Sequence, residues 1–373
     1  MILYICLTIW FFILLLLGLR KDSILLAEIW PKLPEEKSIR RNHYIVSALV
    51  AASLVFLWFL TAFRSSAIGN DTENYLKMFN IFSAGLSKEF RFEVGYQLLN
   101  YFISLFTHDH HVFLIAMATI MYGLLGLYIF KFSKNPAVSL CLFYSCFFSF
   151  YTSILRQGMA MLVVLYGFQF LKNGKKIPAA LLFLFATLFH RTAIVSILLL
   201  VDLKIWQKLW VVVGLTALCA AFSRLGLVKA AVDLIIPRYS YYFATEYASS
   251  GWLAISYYIL LYLVMYFFVN RSFIEDYRPD RAVATNFALL LFFTAFGYAL
   301  NLFDRVGEYF LLVGITEFPN MLYRGKVKHF RLWLLSICTV MLIMFILILI
   351  FRPGWNHMYP YEFWPGSIFS ALN

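Results

Sequence analysis

The sequence predicts an all-α, polytopic integral membrane protein of about 12 transmembrane helices, with short re-entrant or interfacial helices on its outer face. Residues 1–373 read as a single integral membrane domain. Three observations lead there. The chain is 62% hydrophobic and only 13% charged, against about 45–50% and about 25% in soluble domains. The apolar excess falls in runs long enough to cross hydrocarbon, with few membrane-free intervals, which excludes a tethered soluble enzyme, disorder and a disulfide scaffold. The net charge of +12 sorts by loop, as it does when orientation is set by cations on the inner side.

In chain order, Ile2–Leu19 opens with an apolar run. It has no positively charged start and no small-residue cleavage site, so it reads as a retained span rather than a signal peptide. The loop Arg20–His43 carries six Lys and Arg and belongs inside. Tyr44–Phe63 then crosses outward. Tyr75, Phe79, Phe82 and Leu86 recur at helical spacing behind a cap at Asn70 or Asp71, which predicts a helix lying on the outer leaflet. In Phe92–Phe106, residues Glu93, Gln97, Asn100 and Ser104 share one face of a helix too short to cross. Such a polar stripe lines a wet cavity from a re-entrant or interfacial position; an ordinary amphipathic surface helix is the other reading.

The spans His111–Phe130, Ala137–Tyr151 and Gln157–Leu171 follow. Ile177–Phe189 and Thr192–Val201 flank His190 as two short crossings, and Ile177–Leu203 also reads as one long helix. Leu209–Phe222, Trp252–Val269, Val283–Leu300, Val306–Leu322 and Leu332–Phe351 complete the series.

With these crossings the inner segments hold twenty Lys and Arg against eight acids, and the outer segments hold eleven against ten. Both termini then lie outside. Arg64, Asp71, Glu93, Arg156, His190, Arg191, Asp304, Arg305 and Glu308 all fall at outer ends of spans or in outer loops. Ionisable residues near membrane depth are costly and mark function by default, so their collection on one side points to an outward-facing cavity. Asn301, Arg305 and Glu308 share a face, with Asp304 beside them; a local ion pair joining two helices accounts for them equally. Arg156 at a span boundary can snorkel to lipid phosphate, and a lone His190 can be a structural hydrogen-bonder.

The cysteines Cys6, Cys141, Cys146, Cys219 and Cys338 sit in apolar runs and form no CxxC pair. No GxxxxGK[ST], HExxH, GxSxG or DxD pattern occurs, so nucleotide and zinc chemistry have no support. His108, Asp109, His110 and His111 are too nearly contiguous to converge on one ion, and a polar loop explains them. No cofactor and no nucleic acid partner is expected.

Taken in order, Arg64…Gly69-x-Asp71…Tyr75…Phe79, Glu93-x-Gly95-Tyr96, Leu155-Arg156-Gln157…Ala160, Phe189-His190…Ala193, Asp304-Arg305…Tyr309-Phe310 and a C-terminal YPYEFWP segment resemble the EpsG/Wzy group of bacterial polysaccharide polymerases. The resemblance covers most of the chain, through motifs of two to five residues. Arg191 departs from it, standing where a small or variable residue is expected.

The resemblance implies a multi-pass protein of the bacterial cytoplasmic (inner) membrane with its active site facing the periplasm or outside. It implies joining of undecaprenyl-diphosphate-linked oligosaccharide repeat units of O-antigen, capsule or exopolysaccharide, with membrane lipid and a chain-length regulator protein as partners. The residues suit that chemistry. Arginines stay charged and fork onto phosphate oxygens, so Arg156, then Arg305, Arg64 and Arg191, are candidates for the diphosphate, and no metal is needed beside them. A sugar hydroxyl needs a proton acceptor, for which His190, Glu93 and Asp71 are the candidates. Gln97, Asn100, Gln157, Asn301, Asp304, Glu308 and Tyr309 would line the cavity. Two rivals use similar groups: an O-antigen ligase-like glycan transferase, and a flippase for the lipid-linked unit, which would place its site nearer the midplane. Cysteines introduced at Lys175 and Arg64 should label from opposite sides of the membrane, and labelling of both from one side overturns the topology.

Overall fold

Hydrocarbon offers no partner for backbone N–H and C=O groups, so a chain this apolar closes its hydrogen bonds within helices. The computed structural model describes residues 1–20, 37–85, 92–235, 237–244, 251–274, 277–300, 302–325 and 327–367. Among them there is no strand, and one isolated antiparallel bridge joins Arg64 to Phe363. Leu86 and Asn301 lie outside the described residues, as do 21–36 of the basic loop.

The α-helices are α1 (Ile2–Gly18), α2 (Lys37–Ala62), α3 (Thr72–Ser83), α4 (Val94–Ser104), α5 (His110–Phe132), α6 (Pro136–Ser153), α7 (Leu155–Lys172) and α8 (Lys176–Ala186). They continue as α9 (Leu209–Arg224), α10 (Leu227–Ile235), α11 (Trp252–Asn270), α12 (Arg278–Phe296), α13 (Leu302–Arg324) and α14 (Phe330–Phe351). Five, Asn42–Ala62 of α2, α5, α6, α11 and α14, are long and apolar enough to cross a membrane, and α9 with α10, bent by 74°, makes a sixth if the two form one span. Helices α1 and α8 are apolar but shorter. Ile177–Leu203 is not one helix: α8 ends at Ala186, and a 3-10 helix runs from Arg191 to Leu200. His190 stands at the break. Helix α4, at 11 residues, is about 16 Å long, half a bilayer core.

The chain divides into two compact units. The first comprises Met1–Leu162, Leu188–Arg191 and His329–Asn373. Its centre is α6, most of whose residues are buried, as expected of a helix apolar all round. Phe11 of α1 stacks on Tyr144 of α6 with ring centroids 4.2 Å apart, and Phe345 of α14 meets the same tyrosine at 4.8 Å. Asn135 caps α6 by accepting from the Val138 N–H and reaches α1 by donating to the Gly18 carbonyl at 2.8 Å.

Residues 353–367, after α14, strap across this unit. Tyr4 Oη donates to the Met358 carbonyl at 2.6 Å, Asn70 Nδ2 to the Trp355 carbonyl at 2.7 Å, and Asn356 Nδ2 to Ser149 Oγ at 3.2 Å. The Ser65 N–H donates to the Glu362 carbonyl at 2.8 Å and the Gly69 N–H to the His357 carbonyl at 3.1 Å. Tyr361 Oη donates to the Leu60 carbonyl, and Trp364 packs between Phe63 and His111. The YPYEFWP residues thereby hold the chain between α2 and α3.

The second unit comprises Val163–Thr187 and Thr192–Lys328. Helix α12 is its centre, packed against α9, α11 and α13. Two polar contacts tie its interior: Asn286 Nδ2 donates to the Phe310 carbonyl at 2.9 Å, and fully buried Asp280 pairs with Arg324. Lys172 Nζ sits 2.7 Å from each oxygen of Glu317, which is 1% exposed.

Arg64 is fully buried, so the second labelling position is better taken at Glu73, whose side chain is 66% exposed. Tyr4→Phe should cost about 1–3 kcal/mol, since it strips a buried carbonyl of its donor. A lower unfolding midpoint in detergent checks this, and an unchanged midpoint removes the strap from the stabilising contacts.

Candidate functional site

The segment from Phe63 to Tyr75 is built around Arg64. Its side chain is 0% exposed; Nε donates to Thr72 Oγ1 at 3.3 Å and Nη1 to the Thr61 carbonyl. Burial pushes this guanidinium down to about 10, and the surrounding Tyr361, Tyr122, Tyr75 and Tyr96 oppose the fall. The chain then turns at Gly69, with φ of 87°. A Cβ there would lie 2.8 Å from the Ser153 Cα and in a backbone conformation that disfavours side chains. Asp71 occupies the N-cap position of α3 without a side-chain capping bond. One turn on, Tyr75 is buried, and burial first, then the Asp71 carboxylate, push its hydroxyl up to about 12 against the opposing effect of Arg156. Tyr75 thus lies within electrostatic reach of both.

Helix α4 is inside out. Its exposed side is apolar, with Val94, Leu98, Phe102 and Phe106 at 57–77% exposure, while Asn100 is fully buried. A helix that meets lipid on one face turns its polar stripe toward the protein. Most of that stripe satisfies itself: Gln97 Nε2 donates to the Phe92 carbonyl, Asn100 Nδ2 to the Tyr96 carbonyl at 2.7 Å, and Ser104 Oγ to the Tyr101 carbonyl at 2.7 Å. Only Glu93, the N-cap residue, reaches across to charged partners.

The first turn of α4 docks on the break that carries His190. The Gly95 and Tyr96 N–H groups both donate to the Leu188 carbonyl, at 2.8 and 3.2 Å. A Cβ at Gly95 would come within 2.8 Å of that same oxygen and of the Leu188 Cβ, so glycine is required by close approach. This accounts physically for Glu93-x-Gly95-Tyr96 opposite Phe189-His190.

Glu93 joins three parts of the chain. Its Oε2 accepts from Arg156 Nη1 at 2.6 Å, its Oε1 accepts from the Arg191 backbone N–H at 3.2 Å, and the same oxygen lies 3.8 Å from His190 Nδ1. The Arg156 guanidinium also rests on the Phe92 ring, 4.2 Å from its centroid, a cation–π contact. Arg156 stands at the start of α7, because the chain breaks at Ile154 between two consecutive helices. It keeps N–H donors beyond the one given to Glu93, and its side chain is 19% exposed. An oriented guanidinium beside an imidazole can hold an anion and take up a proton.

The first unit therefore brings together Glu93, Arg156, His190 and the backbone of Arg191, with Asp71 linked through Tyr75. The Arg191 side chain is exposed, Gln157 is 2% exposed, and Arg64 is fully buried with Nε and Nη1 turned to Thr72 and Thr61. In the second unit, Asp304, Arg305 and Glu308 cluster on the first turns of α13 within electrostatic reach of one another. Tyr309, fully buried, meets Thr192 Oγ1 through its hydroxyl at 3.1 Å. Phe92 and Tyr75 are the two residues of this site that are not among the candidates read from the sequence. The Phe92-Glu93 adjacency, and Tyr75 one turn after Asp71, were the signals available.

A family model described as the EpsG family matches residues 47–363. No curated protein and no solved structure matches the chain.

Gly95→Ala should destabilise the first unit by about 1–3 kcal/mol through overpacking against Leu188. Thermal unfolding in detergent checks this, and a wild-type midpoint means that the α4 turn and the 188–191 break are not held at this distance.

Proposed function

The chain belongs to the EpsG family, and from that premise we propose that it polymerises oligosaccharide repeat units carried on a lipid diphosphate, undecaprenyl diphosphate. Family membership supports the polysaccharide polymerase-like role, and the arrangement of Arg156, Glu93 and His190 supports the chemistry. An acceptor sugar hydroxyl attacks the anomeric carbon of the lipid-linked chain. The new C–O bond forms as the bond from that carbon to the diphosphate oxygen breaks, and the bonding pair leaves on the lipid diphosphate.

Arg156 neutralises the charge that develops there. Preorganised donors aimed at such charge are worth several kcal/mol. The exposed Arg191 side chain adds a second cation, Arg305 remains a candidate on its own unit, and Arg64 serves in this reading to fix the loop before α3. The hydroxyl proton passes to the His190–Glu93 pair. A diphosphate leaves without protonation, so no general acid is needed, and guanidinium groups take the place a metal would fill.

In this reading about 12 segments enter the bacterial cytoplasmic membrane, with both termini and the site on the outer side. A chain-length regulator protein would act beside it. The observation that carries the proposal is Arg156, held by Glu93 next to His190 in a chain of this family. Arg156→Ala should abolish polymer while single repeat units are still made and exported. A normal polymer ladder from that variant refutes the role.

A further inference from the structure

We infer that Phe92 is a positioning residue for recognition of the lipid-diphosphate leaving group: its ring sets the plane of the Arg156 guanidinium, while Glu93, the next residue, holds its edge. The inference rests on the polymerase reading above and adds a residue to the setting of its arginine.

An arginine meets phosphate oxygens through the N–H groups that lie in its plane, so its action depends on how that plane is turned. Arg156 Nη1 donates to Glu93 Oε2 at 2.6 Å. A single bond of this kind leaves the plane able to rotate about it. The Phe92 ring removes that freedom. The guanidinium carbon lies over the ring, 4.2 Å from its centroid, well within the reach of a cation–π contact. A ring face suits this place because it uses none of the N–H donors. A second carboxylate there would hold the arginine too, but it would compete with the diphosphate for those donors and offset the charge.

Phe92 is itself held. It is half-buried and stands directly before the N-cap of α4. Its carbonyl accepts from Gln97 Nε2. Its ring meets the Tyr96 ring edge-on, with centroids 5.8 Å apart and planes at 89°. Tyr96 is fully buried, its N–H donates to the Leu188 carbonyl at 3.2 Å, and its ring lies 5.8 Å from that of Tyr75 in α3. Arg156 therefore rests on a column of aromatic rings rooted in α3 and α4. Two consecutive residues, both placed by the first turn of α4, define the guanidinium in two directions.

The test uses the full-length protein reconstituted in vesicles with a defined lipid-linked repeat unit, following initial rates of ladder formation over a range of donor concentration. Phe92 is replaced by phenylalanines carrying successively more fluorine atoms, which nearly keep the shape of the ring while withdrawing negative charge from its face. Positioning through the ring face predicts that log kcat/KM falls with each added fluorine, to a total loss of about 3- to 30-fold. Phe92→Leu should lose at least as much, and Phe92→Tyr, which keeps an aromatic face, should retain more activity than Phe92→Leu. The same fluorinated series at Phe102, 57% exposed on the apolar side of the same helix, should be flat.

A flat series at Phe92, an equal slope at Phe102, or a Phe92→Leu protein as active as wild type overturns the inference. If Phe92→Leu does not accumulate as folded protein, the fluorinated series decides alone, because it leaves the packing almost unchanged. Absence of any ladder from the wild-type protein overturns the polymerase reading itself, whereas a wild-type ladder with a flat Phe92 series overturns only the role of Phe92.

Discussion

A charge inside a membrane protein has no solvent to answer it, and among the described residues three buried or half-buried pairs join charges from separate stretches of the chain. Breaking such a pair by removing one member is costly, on the order of 3–5 kcal/mol, because the other is left buried and unpaired. In the first unit the requirement is met by Glu93 and Arg156. In the second it is met by Lys172 with Glu317 and by Asp280 with Arg324. Helix α7 contributes to both patterns, with Arg156 at its first turn and Lys172 at its last. Within each unit these pairings hold together segments that are far apart in the chain.

Glu93 matters more than an ordinary ion-pair partner because of where it stands. An N-cap position leaves its side chain free to reach away from the helix, and it makes no capping bond of its own. The carboxylate therefore goes to Arg156 and to the turn at 188–191. That turn is a place where regular structure fails, between an α-helix and a ten-residue 3-10 helix, far longer than such helices usually run. Irregular backbone near membrane depth is tolerated where protein covers it, and the first turn of α4 provides that cover.

Much of this was legible in the chain itself. The spacing of Glu93, Gln97, Asn100 and Ser104 correctly placed a polar face on a short helix, since 3.6-residue periodicity is a local property. What that face does was not legible, because three of its four residues bond backbone carbonyls three to five residues away and only the first reaches outward. Arg64 stood in a promising motif, yet it is wholly buried among tyrosines; an arginine at a span boundary has the same sequence signature whether it turns inward or outward. Lys172 was counted among the cations that set orientation, and its tie to Glu317, 145 residues on, leaves no trace in local composition.

The sequence by itself determined that this is an all-helical membrane protein, which residues are ionisable near membrane depth, and the ordered motifs that resemble its family. Composition and periodicity suffice for that, because they act within one or two helical turns. Tertiary structure alone decided that Glu93 meets Arg156 across 63 residues of chain, that His190 sits at a break rather than within a helix, and that residues 353–367 strap the loop before α3. These are close approaches between distant segments, set by packing around Gly69 and Gly95 and by the need to pair buried charge, and no local pattern encodes the partner.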